Sequence, residues 1–190
     1  MLAALLLTAC TTTRTETSIV GVGTASPPPP EARTIAADAP PVPAGAWEVE
    51  VERVVDGDTL VAVVTVPSRR SPGAGERVRL RLLRIDTPEL GRAEQPAECL
   101  AEEARLALER IAGPGRTLVV AHDVEELDRF DRELVHAWTP EGAWVNGAML
   151  ESGYANVVTF PPNVALDEEV RDAERRARDE GVGLWDPSVC

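Results

Sequence analysis

Residues 54–59, Val54-Val55-Asp56-Gly57-Asp58-Thr59, and residues 81–89, Arg81-Leu82-Leu83-Arg84-Ile85-Asp86-Thr87-Pro88-Glu89, decide how this chain folds. The first stretch is an Asp-Gly-Asp hairpin turn between two apolar runs, Trp47-Val49-Val51 with its alternating glutamates and Thr59 to Val66. The second closes a third run from Arg77 to Asp86, after an exposed loop at Ser68–Gly75 rich in Arg, Pro and Gly. Three strands in that order form a meander, which brings the first turn and the end of the third strand to one place.

Downstream, Leu100, Ala104, Leu108 and Ile111 keep helical spacing, which predicts a helix between Pro96 and Ala112, stopped by Gly113-Pro114. Two more strands are expected at Arg116–His122 and Glu133–Thr139, a short helix at Trp144–Ser152, and a last helix from about Leu166 to Glu180. Three strands, a helix, two strands and then helices predict an α+β, mainly β domain: a five-stranded OB-type Greek-key barrel with about three helices.

A chain of 190 residues, 44% apolar and 27% charged, is sized for one domain with a core, and its composition excludes a multi-span membrane protein. Net charge is −13, and all 19 basic residues are Arg. Wholesale coating of nucleic acid is excluded by that balance, so any phosphate ligand must meet a local arginine cluster. Residues 1–10 end in Leu7-Thr8-Ala9-Cys10, which resembles a bacterial lipobox with Cys10 as the lipidated residue. The run is too short to span a bilayer, and it lacks the basic segment that opens an export signal. The alternative reading is an unstructured apolar N-terminus with an ordinary cysteine. Residues 11–46 are Thr/Ser-rich and then Pro-rich, and are expected to form an extended disordered tether to a domain at 47–190.

The chemistry concentrates where the meander converges. Carboxylates from both stretches are hard oxygen ligands suited to Ca²⁺ or Mg²⁺, and either a cation or nearby arginines must offset their repulsion. DGDTL, RLLRIDTPE, DRFDREL at 128–134, VNGAMLESGYANV and a terminal GLW together resemble the staphylococcal nuclease family over about residues 47–186.

The resemblance implies a Ca²⁺-dependent nuclease that cleaves DNA and RNA at the 5′ P–O bond and leaves 3′-phosphates. Asp58 and Asp86 match the direct metal ligands, Thr87 contributes its backbone carbonyl, and Asp56 stands behind them. Glu89 matches the carboxylate that activates water, while Arg81 and Arg132 match the arginines on the scissile phosphate. Arg129 and Phe130 are the expected substrate contacts on the neighbouring arm, where the family often has Tyr and Gly at 130 and 131. A stacked base on Phe130 is worth about 1–3 kcal/mol. Asp131 and Glu133 flank Arg132 and are expected to weaken its pull on a polyanion, and the family's second tyrosine falls on Thr159 or Phe160. Arg81 and Asp86, five apart, face opposite sides of an ideal strand, so a bulge or bend between them is required.

Arg84 reads as an exposed strand residue, and His122 and His136 as strand residues with ordinary hydrogen bonds. Trp138, Trp144 and Trp185 read as packing residues. With Cys10 lipidated, Cys99 and Cys190 remain as an even pair in an exported chain, which favours a disulfide; the alternative is a small buried apolar Cys99 and an unpaired terminal cysteine. The expected protein is an extracytoplasmic, lipid-anchored monomer acting on DNA and RNA, with single strands preferred. A non-catalytic OB-fold lipoprotein that binds oligonucleotides or other polyanions is the second reading, against which stands the full set Arg81, Glu89, Arg132, Asp58 and Asp86.

Overall fold

The structure is a computed structural model and describes residues 39–190. Strands β1 (Trp47–Val54), β2 (Thr59–Val66), β3 (Arg77–Leu82), β5 (Thr117–Leu127) and β6 (Glu133–Trp138) close into a barrel in the order β1-β2-β3-β6-β5. All neighbours are antiparallel except β3 and β6, which run parallel. Val49, Val51, Leu60, Ala62, Val64, Leu80, Leu82, Leu118, Val120 and Val135 fill the interior, each on the inward phase of its strand. A pair of two-residue strands, β4 (Ile85–Asp86) and β7 (Asn156–Val157), lies outside the barrel.

The expected single strand Arg77–Asp86 is therefore two. It breaks at Leu83-Arg84, where Arg84 takes φ 66°, and the chain turns out of the barrel before re-pairing as β4. This is the bend that the Arg81–Asp86 spacing demanded. Asn146, fully buried in α2 (Val145–Glu151), holds the bend: its Nδ2 donates to the Leu83 carbonyl at 2.9 Å, and its Oδ1 accepts the Ala137 amide at 2.9 Å. Arg84 is 3% exposed, against expectation, because the turn carries it inward to an ion pair with Asp167 at the start of α3 (Asp167–Glu180).

Helix α1 (Ala101–Ala112) begins five residues later than its apolar spacing suggests, since Leu100 sits at φ 65° and the preceding residues form a loop. Its Ala101, Ala104, Ala107, Leu108 and Ala112 face the core. In α3 the buried stripe is Val170, Ala173 and Ala177, with three acidic residues in the first turn facing the helix dipole and Gly181 at φ 64° ending it. The expected Asp167–Arg171 and Glu174–Arg178 pairs form at 2.9 Å, but Glu174 is largely buried and also accepts the Val157 amide of β7 at 2.8 Å, so Asp167, Arg171 and Arg178 lie on the solvated face and Glu174 does not. Cys99 and Cys190 are disulfide-bonded across a separation of 91 residues, a constraint worth roughly 4–5 kcal/mol in the chain-entropy treatment.

Just before the expected start of the domain, Pro40 is buried and its carbonyl accepts the Trp138 indole N–H at 2.9 Å, while residues 41–45 are exposed; residues 11–38 of the expected tether lie outside the described residues. Trp138 and Trp144 are buried, while Trp185 is half-buried. His122 has an ordinary partner in Glu133 at 2.7 Å, but His136 does not: both its ring nitrogens are buried and unpaired, between the Trp138 and Trp144 rings.

Burial pushes His136 down to about 4, outweighing Asp123 and assisted by Arg84. Its protonation thus favours the unfolded chain: the stabilisation is complete above the ordinary histidine range and is lost as pH falls from about 6.5 towards 4. Between pH 7 and 4.5 the wild type is expected to lose about 2–3 kcal/mol more than H136F, as read by urea unfolding of both at the two pH values.

Candidate active site

One groove of about 600 Å³ is lined by Asp56, Asp58, Arg81, Asp86, Glu89, Arg129, Phe130 and Arg132. Its floor is set by strand pairing. Thr59 sits opposite Arg81 across β2 and β3, and the amide of Leu82 donates to the Asp58 carbonyl at 2.9 Å. Parallel pairing of Leu80 with Glu133 brings the segment containing Arg132 to the same end of the sheet. The bend at Leu83-Arg84 then returns Asp86 to Arg81.

Arg81 ties these elements together. Its Nη1 donates to the carbonyls of Leu82 and Ile85 at 2.7 and 2.8 Å, which fastens the guanidinium across the bend. Its Nη2 lies 3.1 Å from both Asp58 Oδ2 and Asp86 Oδ1. Asp58 is 6% exposed and also accepts the Thr59 hydroxyl at 3.0 Å and the Thr87 amide and hydroxyl, each at 3.3 Å. Burial, with repulsion from Asp56 and Asp86, pushes the Asp58 carboxyl up to about 7 despite Arg81. Asp56 caps the turn by accepting the Asp58 amide at 3.2 Å. Gly57 is required there, because a Cβ would stand 2.7 Å from the Thr87 hydroxyl.

Two carboxylates therefore converge on a single cationic point, one of them buried and short of positive charge. Hard oxygens in that state fit a hard divalent cation. Among the described residues there is no group of three or more His, Cys, Asp or Glu that could hold a metal; the carboxylates that Arg81 brings together are Asp58 and Asp86. Thr87 is brought to the site, with its amide and hydroxyl turned to Asp58.

On the opposite wall, Asp128 organises the arm. It accepts the amides of Phe130 and Arg132 at 2.8 and 3.0 Å and the Arg132 Nε at 2.7 Å. Burial opposes its charge, but these hydrogen bonds prevail and hold the Asp128 carboxyl below its usual range. The expected weakening of Arg132 by its neighbours is only partly realised: Glu133 turns inward to His122, and Asp131 occupies a φ 55° turn. The acid that engages Arg132 is Asp128, a role signalled only by its place at the head of an Asx turn. Phe130 is 55% exposed, with the guanidinium carbons of Arg129 and Arg132 4.6 and 5.5 Å from its ring centre. Of the two tyrosine-position candidates, Phe160 lines the groove and is 70% exposed.

Glu89 reaches the groove from the loop after β4, its side chain 65% exposed and 3.7 Å from Arg92. Cys99 and Cys190 meet behind that loop; Cys10 lies outside the described residues.

An OB-type barrel thus carries an arginine-bridged pair of aspartates at the end of its strands, facing an arm with Arg129, Phe130 and Arg132. Residues 79–187, more than half of the chain, match the staphylococcal nuclease homologue family, and the chain belongs to it. An uncharacterized protein of Bacillus anthracis is 30% identical over 138 residues, which span 72% of this chain and 59% of that one. The thermonuclease of Staphylococcus hyicus is 25% identical over 136 residues, covering 72% of this chain and 74% of its own length. Endonuclease YhcR of Bacillus subtilis strain 168 is 28% identical over 154 residues, 77% of this chain but 12% of that protein. The chain thus belongs to a nuclease family while spanning well under two thirds of two of these relatives.

Removing the Asp128 carboxylate should loosen the arm locally. In D128A the amides of Phe130 and Arg132 are expected to exchange with deuterium at least about tenfold faster than in the wild type, since each loses a bond to a charged acceptor worth about 1.5 kcal/mol or more. Unchanged protection at both amides would count against this role.

Proposed function

We propose that the protein is a Ca²⁺-dependent nuclease that hydrolyses DNA and RNA to 3′-phosphate products, with single strands preferred. The observation that carries this reading is the shared groove, which gathers Asp58, Asp86, Arg81, Glu89 and Arg132 from separate elements. Arg132 holds the phosphate from one wall, pre-set by its bond to Asp128; Arg81 holds it from the other, fastened through Nη1 to the Leu82 and Ile85 carbonyls and turning Nη2 from the Asp58 and Asp86 carboxylates to the phosphate as negative charge grows on the equatorial oxygens. Asp58 and Asp86, with the Thr87 carbonyl, would hold the Ca²⁺, and Asp56 would support them from the turn. When bound, the cation supplies charge neutralisation and polarises the attacking water.

Glu89 accepts the water's proton as the oxygen bonds to phosphorus. The bond to the 5′-oxygen breaks, and that oxygen leaves with a proton drawn from solvent. Phe130, Arg129 and Phe160 offer rings and a guanidinium plane to unstacked bases, which a duplex does not present. An acidic chain that meets few phosphates through arginine also depends little on counterion release.

Incubating the full chain with single-stranded DNA, duplex DNA and RNA, with calcium and then chelator, tests this directly. Cleavage is expected with calcium and lost in chelator, fastest on single strands. E89Q should lower kcat about 100-fold or more with substrate affinity little changed. Full activity in chelator, or equal losses of rate and affinity in E89Q, would overturn the assignment.

The apolar run ending at Cys10 and the proline-rich stretch behind it support a lipid-anchored, extracytoplasmic monomer. Among the described residues no helix is long and apolar enough to cross a membrane; in this reading Cys10 carries the anchor. Labelled palmitate should enter the full chain in bacterial cells and be absent from C10A. Equal label in both would remove the anchor from this reading.

A further inference from the structure

The loop that carries Glu89 is packed only at its start, where Pro88 is buried and Leu90 half-buried. Residues 91–99 are all exposed, so its shape depends on its own hydrogen bonds. These form two nested rings. The Glu89 amide donates to Glu98 Oε2 at 2.9 Å, and the Glu98 amide donates back to the Glu89 carbonyl at 3.0 Å. Further out, the Arg92 amide donates to the Gln95 carbonyl at 2.9 Å and the Gln95 amide to the Arg92 carbonyl at 2.8 Å. Between the rings the two limbs touch backbone to backbone at Gly91, where a Cβ would lie 2.7 Å from the Ala97 nitrogen.

The far limb is itself anchored. Cys99 follows Glu98 directly and is bonded to Cys190, whose tail is fastened by the Leu184 amide on the Gly153 carbonyl at 2.8 Å and by Arg178 over Trp185 at 4.1 Å. Glu98 thus connects a fixed point of the fold to the backbone of Glu89. Pro88 and Leu90 hold the chain on either side of Glu89, and the acceptor on the Glu89 amide adds the hydrogen bond that restrains its φ and so the direction of its side chain.

We propose that Glu98 is a positioning residue for Glu89: its carboxylate, by accepting the Glu89 amide, aims the Glu89 side chain into the groove. The inference rests on the nuclease reading above, in which Glu89 takes the water's proton. A group placed this way acts on the rate of the chemical step more than on substrate binding. Because the need is for an acceptor and not for charge, an amide oxygen can serve.

The full chain, with calcium and single-stranded DNA, allows the test. E98A is expected to lower kcat about tenfold with KM within about twofold of wild type, and E98Q to restore kcat to within about threefold. The thermal midpoints of both variants should remain close to that of the wild type, since position 98 is outside the barrel core. Wild-type kcat in E98A, equal loss in E98A and E98Q, a loss carried by KM, or loss of the folding transition in E98A would each overturn the proposal while leaving the nuclease reading intact. A wild-type chain that cuts none of its substrates overturns that reading, and this inference with it.

Discussion

The guanidinium of Arg81 is the interaction on which the site depends. One nitrogen bonds two backbone carbonyls across the bend between β3 and β4, and the other bridges two carboxylates that the sequence places 28 residues apart, Asp58 and Asp86. If β3 ran straight, Asp86 would face the other side of the sheet and the carboxylates would not meet. The left-handed turn at Arg84 is thus as much a part of the chemistry as any charged group. Asn146 secures it from below by satisfying buried backbone groups on both the bend and β6.

The same turn explains why helices surround the barrel on this side. Arg84 is drawn inward and pairs with Asp167, which Arg171 also engages; Arg171 and Arg84 together hold the Asp167 carboxyl far below its usual range. Helix α3 is thereby latched at its first residue to the segment that aims Asp86. α2 contributes Asn146 to the bend, and α1 covers the Asp56-Gly57-Asp58 turn, with Ala104 close under Gly57. Each helix has one residue whose placement bears on the aspartates.

A body of net charge −13 repels a polyanion, so under the proposed nuclease reading attraction must come from a few arginines held in definite places. Arg81 and Arg132 are immobilised by hydrogen bonds to backbone and to Asp128, while Glu133, the acid beside Arg132, is withdrawn to His122. Local order substitutes for net charge. The cost is that Asp58 lies buried beside two other carboxylates with one guanidinium to offset them, a state that favours a further cation.

Much of this architecture is legible in the residues themselves. The alternation in β1, the apolar run of β2, the Asp-Gly-Asp turn and the apolar stripes of α1 and α3 are local patterns, and local patterns report local structure. The motif residues likewise locate the groove, because strand pairing of a meander leaves few other places for them. The buried environment of Arg84, the unpaired ring of His136, the docking of Pro40 on Trp138 and the Asp128–Arg132 pairing were not readable in the same way. Each depends on a partner or a covering element that no periodicity announces. The break at Leu83-Arg84 stands between the two: the five-residue spacing of Arg81 and Asp86 requires a bend by itself, but only the closed barrel decides where it falls. Backbone geometry within a segment follows from its own side chains, whereas burial and pairing are set by whatever the rest of the chain brings against it.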